Sequence, residues 1–150
     1  MTSEATTFEE IYFTARDGLK LHARRYPASG PVRGRPVLCL PGLTRNGRDF
    51  HDLAVALSRH PTAARTVYTF DYRGRGLSEH DPDWRDYTVT VEMLDVLDFM
   101  TLAGLSNTAV IGTSRGGLIT MLMAAVRPTA LGAAVLVDIC LLYTSPSPRD

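Results

Sequence analysis

Ala109-Val110-Ile111-Gly112-Thr113-Ser114-Arg115-Gly116-Gly117-Leu118 compresses a strand, a corner and a helix start into ten residues. A short β-branched apolar run stops at Gly112, one serine follows, and two glycines open an apolar, helix-forming run that reaches Val126. A corner this tight forces Ser114 into strained backbone geometry, with its hydroxyl clear of both elements. Gly112 and Gly116 have no Cβ, so strand and helix can approach closely around it. The N–H groups and partial positive charge at the helix start suit a developing oxyanion. Two readings of the serine are open from these residues: a nucleophile held on a corner, or an ordinary cap of a helix N-terminus.

Upstream, the pattern repeats with different loops. Pro36-Val-Leu-Cys-Leu40 is a continuous apolar strand of the kind buried on both faces, and it runs into Pro41-Gly42-Leu43-Thr44. A glycine loop there puts backbone N–H groups at the sheet edge where open parallel sheets hold their ligands. The following helix is expected from Asp49 to Arg59, with Phe50, Leu53, Ala54 and Leu57 inward and His60-Pro61 at its end. Val67 to Phe70 is the next strand. It leads to Asp71-Tyr72-Arg73-Gly74-Arg75-Gly76-Leu77-Ser78, whose glycines allow tight packing. Glu79 occupies the third glycine position of a dinucleotide fingerprint and no Gly-Lys-Ser/Thr occurs, so neither nucleotide motif is present.

The flanks read more simply. Phe8 to Ala15 and Leu19 to Tyr26, joined at Asp17-Gly18, form an antiparallel ribbon, and Pro27 to Arg35 is a surface loop. Thr90 is the expected cap of a helix whose inner face is Met93, Val96, Leu97 and Met100. Glu92, Asp95 and Asp98 form its solvated stripe, and Gly104 ends it. The helix after Ser114 is apolar almost all round, which predicts burial on most sides. Leu131 to Val137 is read as another buried strand, ending at Asp138.

Composition bounds the rest. The 150 residues suit one domain, with 45% hydrophobic residues and 16 basic against 16 acidic side chains. The balance leaves no electrostatic footprint for nucleic acid or an anionic membrane, and Arg24-Arg25, Arg73 and Arg75 are assigned to solvated loops. The polar N-terminus lacks a signal-peptide pattern, and the apolar runs are too short to span a bilayer. Cys39 and Cys140 are far apart, with no metal-ligand spacing. This points to a buried structural thiol at Cys39 and a reducing, cytoplasmic setting. No cofactor or metal site is expected, and the oligomeric state is not legible.

Three segments in order resemble the α/β-hydrolase family, in the branch with a serine nucleophile that includes enol-lactonases, esterases and iminopeptidases. Leu40-Pro41-Gly42-Leu43 is similar to its oxyanion loop, with Pro41 in the usual histidine place. Phe70 to Ser78 is similar to its Asp-x-Arg-Gly-x-Gly-x-Ser loop, and Gly112 to Gly116 to its nucleophile elbow. The resemblance implies an α/β fold: a mostly parallel sheet of about six strands, flanked by helices on both faces. Residues 1–139 would be the N-terminal part of such a domain. Residues 140–150 change character abruptly and read as an atypical tail outside the family sequence.

The implied roles are Ser114 as nucleophile and the N–H groups of Leu43 and Arg115 as the oxyanion hole. The substrate would be a small molecule with an ester, lactone or related carbonyl bond. Serine at this position argues against the haloalkane and epoxide branches, which use aspartate. The Arg115 side chain is read first as a surface ion pair and second as a contact for a substrate carboxylate. The family order is Ser, acid, His, but His22, His51, His60 and His80 all precede Ser114. His22 reads as hairpin surface, His60 as a helix end, His80 as a polar loop and His51 as a first-turn helix residue. Asp138 is a candidate acid, as in a minority of relatives. The implied chain is therefore a hydrolase fragment, inactive alone for want of its histidine. The alternative is a non-catalytic α/β binding module.

Overall fold

The computed structural model describes residues 7–139, so Cys140 and the 140–150 tail lie outside the described residues. Six strands form one sheet: β1 (Glu9–Thr14), β2 (Lys20–Tyr26), β3 (Val37–Leu40), β4 (Val67–Asp71), β5 (Thr108–Thr113) and β6 (Leu131–Val137). Their order is β1-β2-β4-β3-β5-β6. The β1/β2 and β2/β4 pairs are antiparallel, and β4/β3, β3/β5 and β5/β6 are parallel. The connecting helices are α1 (His51–Ser58), α2 (Val89–Leu102) and α3 (Arg115–Val126). This is the expected mostly parallel sheet with an antiparallel opening ribbon. No helix among the described residues is long and apolar enough to cross a membrane.

The two-residue period of the strands divides the core into two layers. Leu38, Leu40, Tyr68, Phe70 and Val110 point to the face covered by α2 and α3. Val37, Cys39 and Val67 point to the other face, where Phe50 and Ala54 cover them. Burial on that side pushes the Cys39 thiol up to about 12, so it behaves as an inert core group. α1 is shorter than expected because Gly47–Phe50 forms a 3₁₀ turn ahead of it, and Leu53 is exposed, not inward.

The cap of α2 lies two residues before the expected one. Thr88, not Thr90, accepts a hydrogen bond from the Val91 N–H through its side chain. At the far end Gly104 has φ +67 and donates to Thr101, while Leu105 donates to Met100, so the helix closes in a Schellman turn. The expected solvated stripe is corrected: Glu92 is 0% and Asp95 2% exposed, and Asp98 alone takes a surface partner, Arg16. Buried carboxylates need donors to replace water, and here Arg73, Arg75 and Arg115 supply them.

α3 departs in the opposite direction. Ile119, Thr120 and Met123 are buried, but Leu118, Met121, Leu122 and Val126 are exposed, which corrects the expectation of burial on most sides. β6 is likewise a strand but not a buried one: Val135, Leu136 and Val137 are exposed, and its outer edge has no neighbour among the described residues. Hydropathy fixes which residues gain from burial; the neighbouring elements decide which obtain it.

Candidate active site

The site is built where the chain changes direction. From β3 the chain crosses through α1 to β4 on one side, and from β5 through α3 to β6 on the other. β3 and β5 are therefore neighbours whose loops part at their C-terminal ends, which opens a crevice between them. Ser114 sits in this crevice at φ +49 and ψ −110, outside the ordinary left-handed basin. It stands in the cap position of α3, yet its side chain makes no capping hydrogen bond. Its N–H donates to the Val137 carbonyl at 2.9 Å, and its carbonyl accepts from Gly117 and Leu118. The backbone is thus anchored on both sides of an exposed hydroxyl.

Glycines make the corner possible. A Cβ on Gly112 would lie 2.5 Å from the Gly116 carbonyl oxygen, and one on Gly116 would collide with the Leu40 carbonyl. Gly42 brings the loop after β3 against the serine: a Cβ there would be 3.9 Å from that of Ser114. Pro41, Gly42, Leu43, Phe50, Thr113 and Ser114 are among the residues around an open cleft of about 510 Å³. Arg115 is the first residue of α3, so its N–H has no intrahelical acceptor. The structure thus brings together Ser114, the Leu43 loop and the start of α3.

Other candidates fall elsewhere. Asp138 follows β6 at φ +53, exposed, and does not line the cleft. None of the four histidines lines it either. His51 packs near Phe8 and Tyr26, with its Nδ1 2.9 Å from the Tyr26 hydroxyl. His60 caps its own loop by accepting from Thr62 and Ala63, and His80 is exposed. His22 is corrected from surface to core: it is 2% exposed and 2.7 Å from the Asp71 carboxylate. It lines a separate cavity of about 260 Å³ with Arg24, Arg48, Thr69 and Asp71, and His22 Nε2 and Arg24 Nε have no hydrogen-bond partner among the described residues.

The loop after β4 is the frame of the site, and its arginines are not solvated. Asp71 accepts from the Gly47 N–H at 2.7 Å and the Leu77 N–H at 3.0 Å, as well as facing His22. Burial works to raise the Asp71 carboxyl, but these three donors outweigh it and hold the group below its ordinary value. Ser78 Oγ donates to the Asp71 carbonyl and accepts from the His22 N–H. Gly76, at φ +54, leaves room for the Asp71 carboxylate, which any Cβ would strike. Arg73 is 1% exposed and donates to Asp95, Asp17 and Asp81. Desolvation would lower its pKa, but the Asp95 and Asp17 carboxylates override this and raise it, so the charge is permanent. The acidic side chains of Asp17, Asp81 and Asp86 converge within 4.8 Å of one another beside it.

Next to Arg73, Tyr72 donates from its hydroxyl to the Pro41 carbonyl at 3.0 Å. Arg75 donates to the Leu43 carbonyl at 3.0 Å and to Glu92. The Arg115 side chain also donates to Glu92, so it is neither a surface ion pair nor turned outward toward a substrate. Sequence reasoning missed Tyr72, Arg75 and Glu92 as supports of the site. The available signal was two arginines in a loop just ahead of a helix carrying two acids on its apolar side.

The comparisons agree with this architecture. The sequence model for the alpha/beta hydrolase fold matches residues 35–149. The lipase LipV of Mycobacterium tuberculosis is 35% identical over 120 residues, covering 80% of this chain and 42% of its own. A 3-hydroxybutyrate-oligomer hydrolase of Cupriavidus necator is 33% identical, over 79% of this chain and 40% of its own. Among solved structures, an alpha/beta hydrolase from Novosphingobium aromaticivorans superposes with a TM-score of 0.78 at 42% identity, covering 88% of this chain and 44% of that one. The chain thus spans less than half the length of these relatives. Strand order, the serine corner and the sequence match lead to one assignment: the chain belongs to the alpha/beta hydrolase fold family.

Proposed function

We propose that Ser114 is the nucleophile of a hydrolase acting on ester or related carbonyl bonds, with the N–H groups of Leu43 and Arg115 as its oxyanion hole. One observation carries the reading. Ser114 occupies a helix cap position in strained geometry but does not cap, and its hydroxyl faces a cleft instead. Strain held in place by Gly112 and Gly116 is expected where a reactive group must be presented. Similarity to a lipase and to a 3-hydroxybutyrate-oligomer hydrolase supports an ester substrate. In the reaction the serine oxygen attacks the carbonyl carbon while its proton passes to a base. The two amides hold the resulting oxyanion until the alkoxide leaves with a proton. Each such donor is worth about 3 kcal/mol of transition-state stabilisation.

The base is supplied from beyond these 150 residues, since none of the four histidines reaches the cleft. We read residues 1–139 as the N-terminal part of the hydrolase and 140–150 as an atypical tail. Asp138 at the end of β6 is kept as the candidate acid. The free, buried Cys39 supports a cytoplasmic setting.

The test is p-nitrophenyl acetate hydrolysis by this chain and by Ser114→Ala, with and without added imidazole as an external base. Without imidazole the two proteins should turn over equally slowly. With imidazole the unmodified chain should be several-fold faster. Equal rates in imidazole would remove the nucleophile role and favour a non-catalytic binding module. Unaided turnover abolished by Ser114→Ala would place the base in this chain and make His51 the residue to replace.

A further inference from the structure

We propose that Glu92 is a positioning residue that holds both main-chain donors of the Ser114 site in register. The inference rests on the oxyanion reading of Leu43 and Arg115 and adds the device that sets their spacing. Glu92 lies on α2, on neither of the loops that form the cleft, and its side chain is 0% exposed. Its Oε1 accepts from Arg75 Nη1 and its Oε2 from Arg115 Nε, each at 2.5 Å. Arg75 continues the chain of bonds: its Nε donates to the Leu43 carbonyl, 3.0 Å away. One carboxylate therefore grips the side chain of the residue carrying one donor. Through a single guanidinium it also grips the carbonyl of the residue carrying the other.

Each end of the Leu43 loop has its own fixed point. Tyr72 holds the Pro41 carbonyl and Arg75 holds the Leu43 carbonyl, so the Gly42–Leu43 peptide, which owns the donor N–H, is pinned on both sides. The two donors belong to separate loops after β3 and β5, and the Glu92 link ties one loop to the other. Oxyanion stabilisation falls off steeply with misplacement, which is why such donors need rigid support.

Charge gives a way to separate positioning from simple electrostatics. Two guanidiniums against one carboxylate leave a surplus positive charge beneath the cleft. Neutralising Glu92 raises that surplus, which by itself would favour a developing oxyanion. A fall in rate on neutralisation therefore reports lost geometry, not a weakened field.

The experiment compares the unmodified chain with Glu92→Gln and Arg75→Gln. The second variant cuts the Leu43 link while leaving the Glu92–Arg115 pair, and it carries the test if the first does not fold. The readouts are backbone ¹⁵N order parameters at Leu43 and Arg115, and kcat and KM for Ser114-dependent hydrolysis in imidazole. In Glu92→Gln the Leu43 order parameter should fall from about 0.85 to below about 0.6, with Phe70 and Val110 in the sheet unchanged. The kcat should drop roughly tenfold, part of the hundredfold or greater loss seen when a whole donor is removed, at unchanged KM. Arg75→Gln should loosen Leu43 but not Arg115. Unchanged order parameters and kcat in both variants, or a kcat that rises in Glu92→Gln, would overturn the proposal. If Leu43 loosens as described but the unmodified chain shows no Ser114-dependent rate, the tie stands and the hydrolase reading falls.

Discussion

α2 and α3 lie side by side on one face of the sheet, and they use burial in opposite ways. α2 takes two carboxylates, Glu92 and Asp95, out of water entirely. α3, which carries no acidic side chain, leaves Leu118, Met121, Leu122 and Val126 in solvent. The difference lies in what each helix faces. α2 faces the loop after β4 and the start of α3, which present three guanidiniums: Arg73, Arg75 and Arg115. α3 turns its inner stripe to β5 and β6 and its outer stripe to no described element. Ion pairs placed under the serine corner lock loops in position, whereas apolar surface without a neighbour locks nothing.

Substitutions along the two helices can break this contrast. The largest effect is expected from Asp95→Ala, which removes both of the Asp95 bonds to Arg73 in the core. Loss of one partner of a buried pair typically costs about 3–5 kcal/mol, to be read by urea denaturation. A change under about 1 kcal/mol would return α2 to the solvated-stripe description. Next comes Met123→Ala against Met121→Ala on α3. Met123 is 0% exposed and its truncation should cost roughly 3 kcal/mol. Met121, 42% exposed, should stay within about 0.5 kcal/mol. Similar losses at both positions would mean that the outer stripe is covered in solution. The smallest effect sharpens the start of α2: Thr88→Ala should cost about 1 kcal/mol through the lost cap, and Thr90→Ala less than half of that. The reverse order would restore Thr90 as the cap.

Most of the sheet was legible because strands buried on both faces are short and largely apolar, as Val37–Leu40 and Val67–Phe70 are. The serine corner was legible for a related reason: only glycine fits where Gly116 meets the Leu40 carbonyl. The support beneath the corner was not legible. Glu92, Asp95 and Asp98 recur at helical spacing, as a solvated stripe does, and their partners lie 17 to 23 residues away along the chain or farther. His22 was misplaced likewise, because its partner Asp71 is 49 residues away and becomes a neighbour only when β2 pairs with β4. α3 misled in the other direction, since its composition carries no record of which sides are packed.

The sequence by itself determined where the chain must bend, which runs must be strands, and that a lone serine stands between two glycines on a strand-to-helix corner. These follow from local sterics and from the periodicity of apolar side chains. Only the tertiary structure decided that the arginines of one loop and the acids of the next helix meet in the dark beneath that corner. Pairing of distant charges depends on the crossing of elements in space, and a burial that is prohibitive for one ion alone becomes tolerable when its counter-ion arrives from elsewhere in the fold.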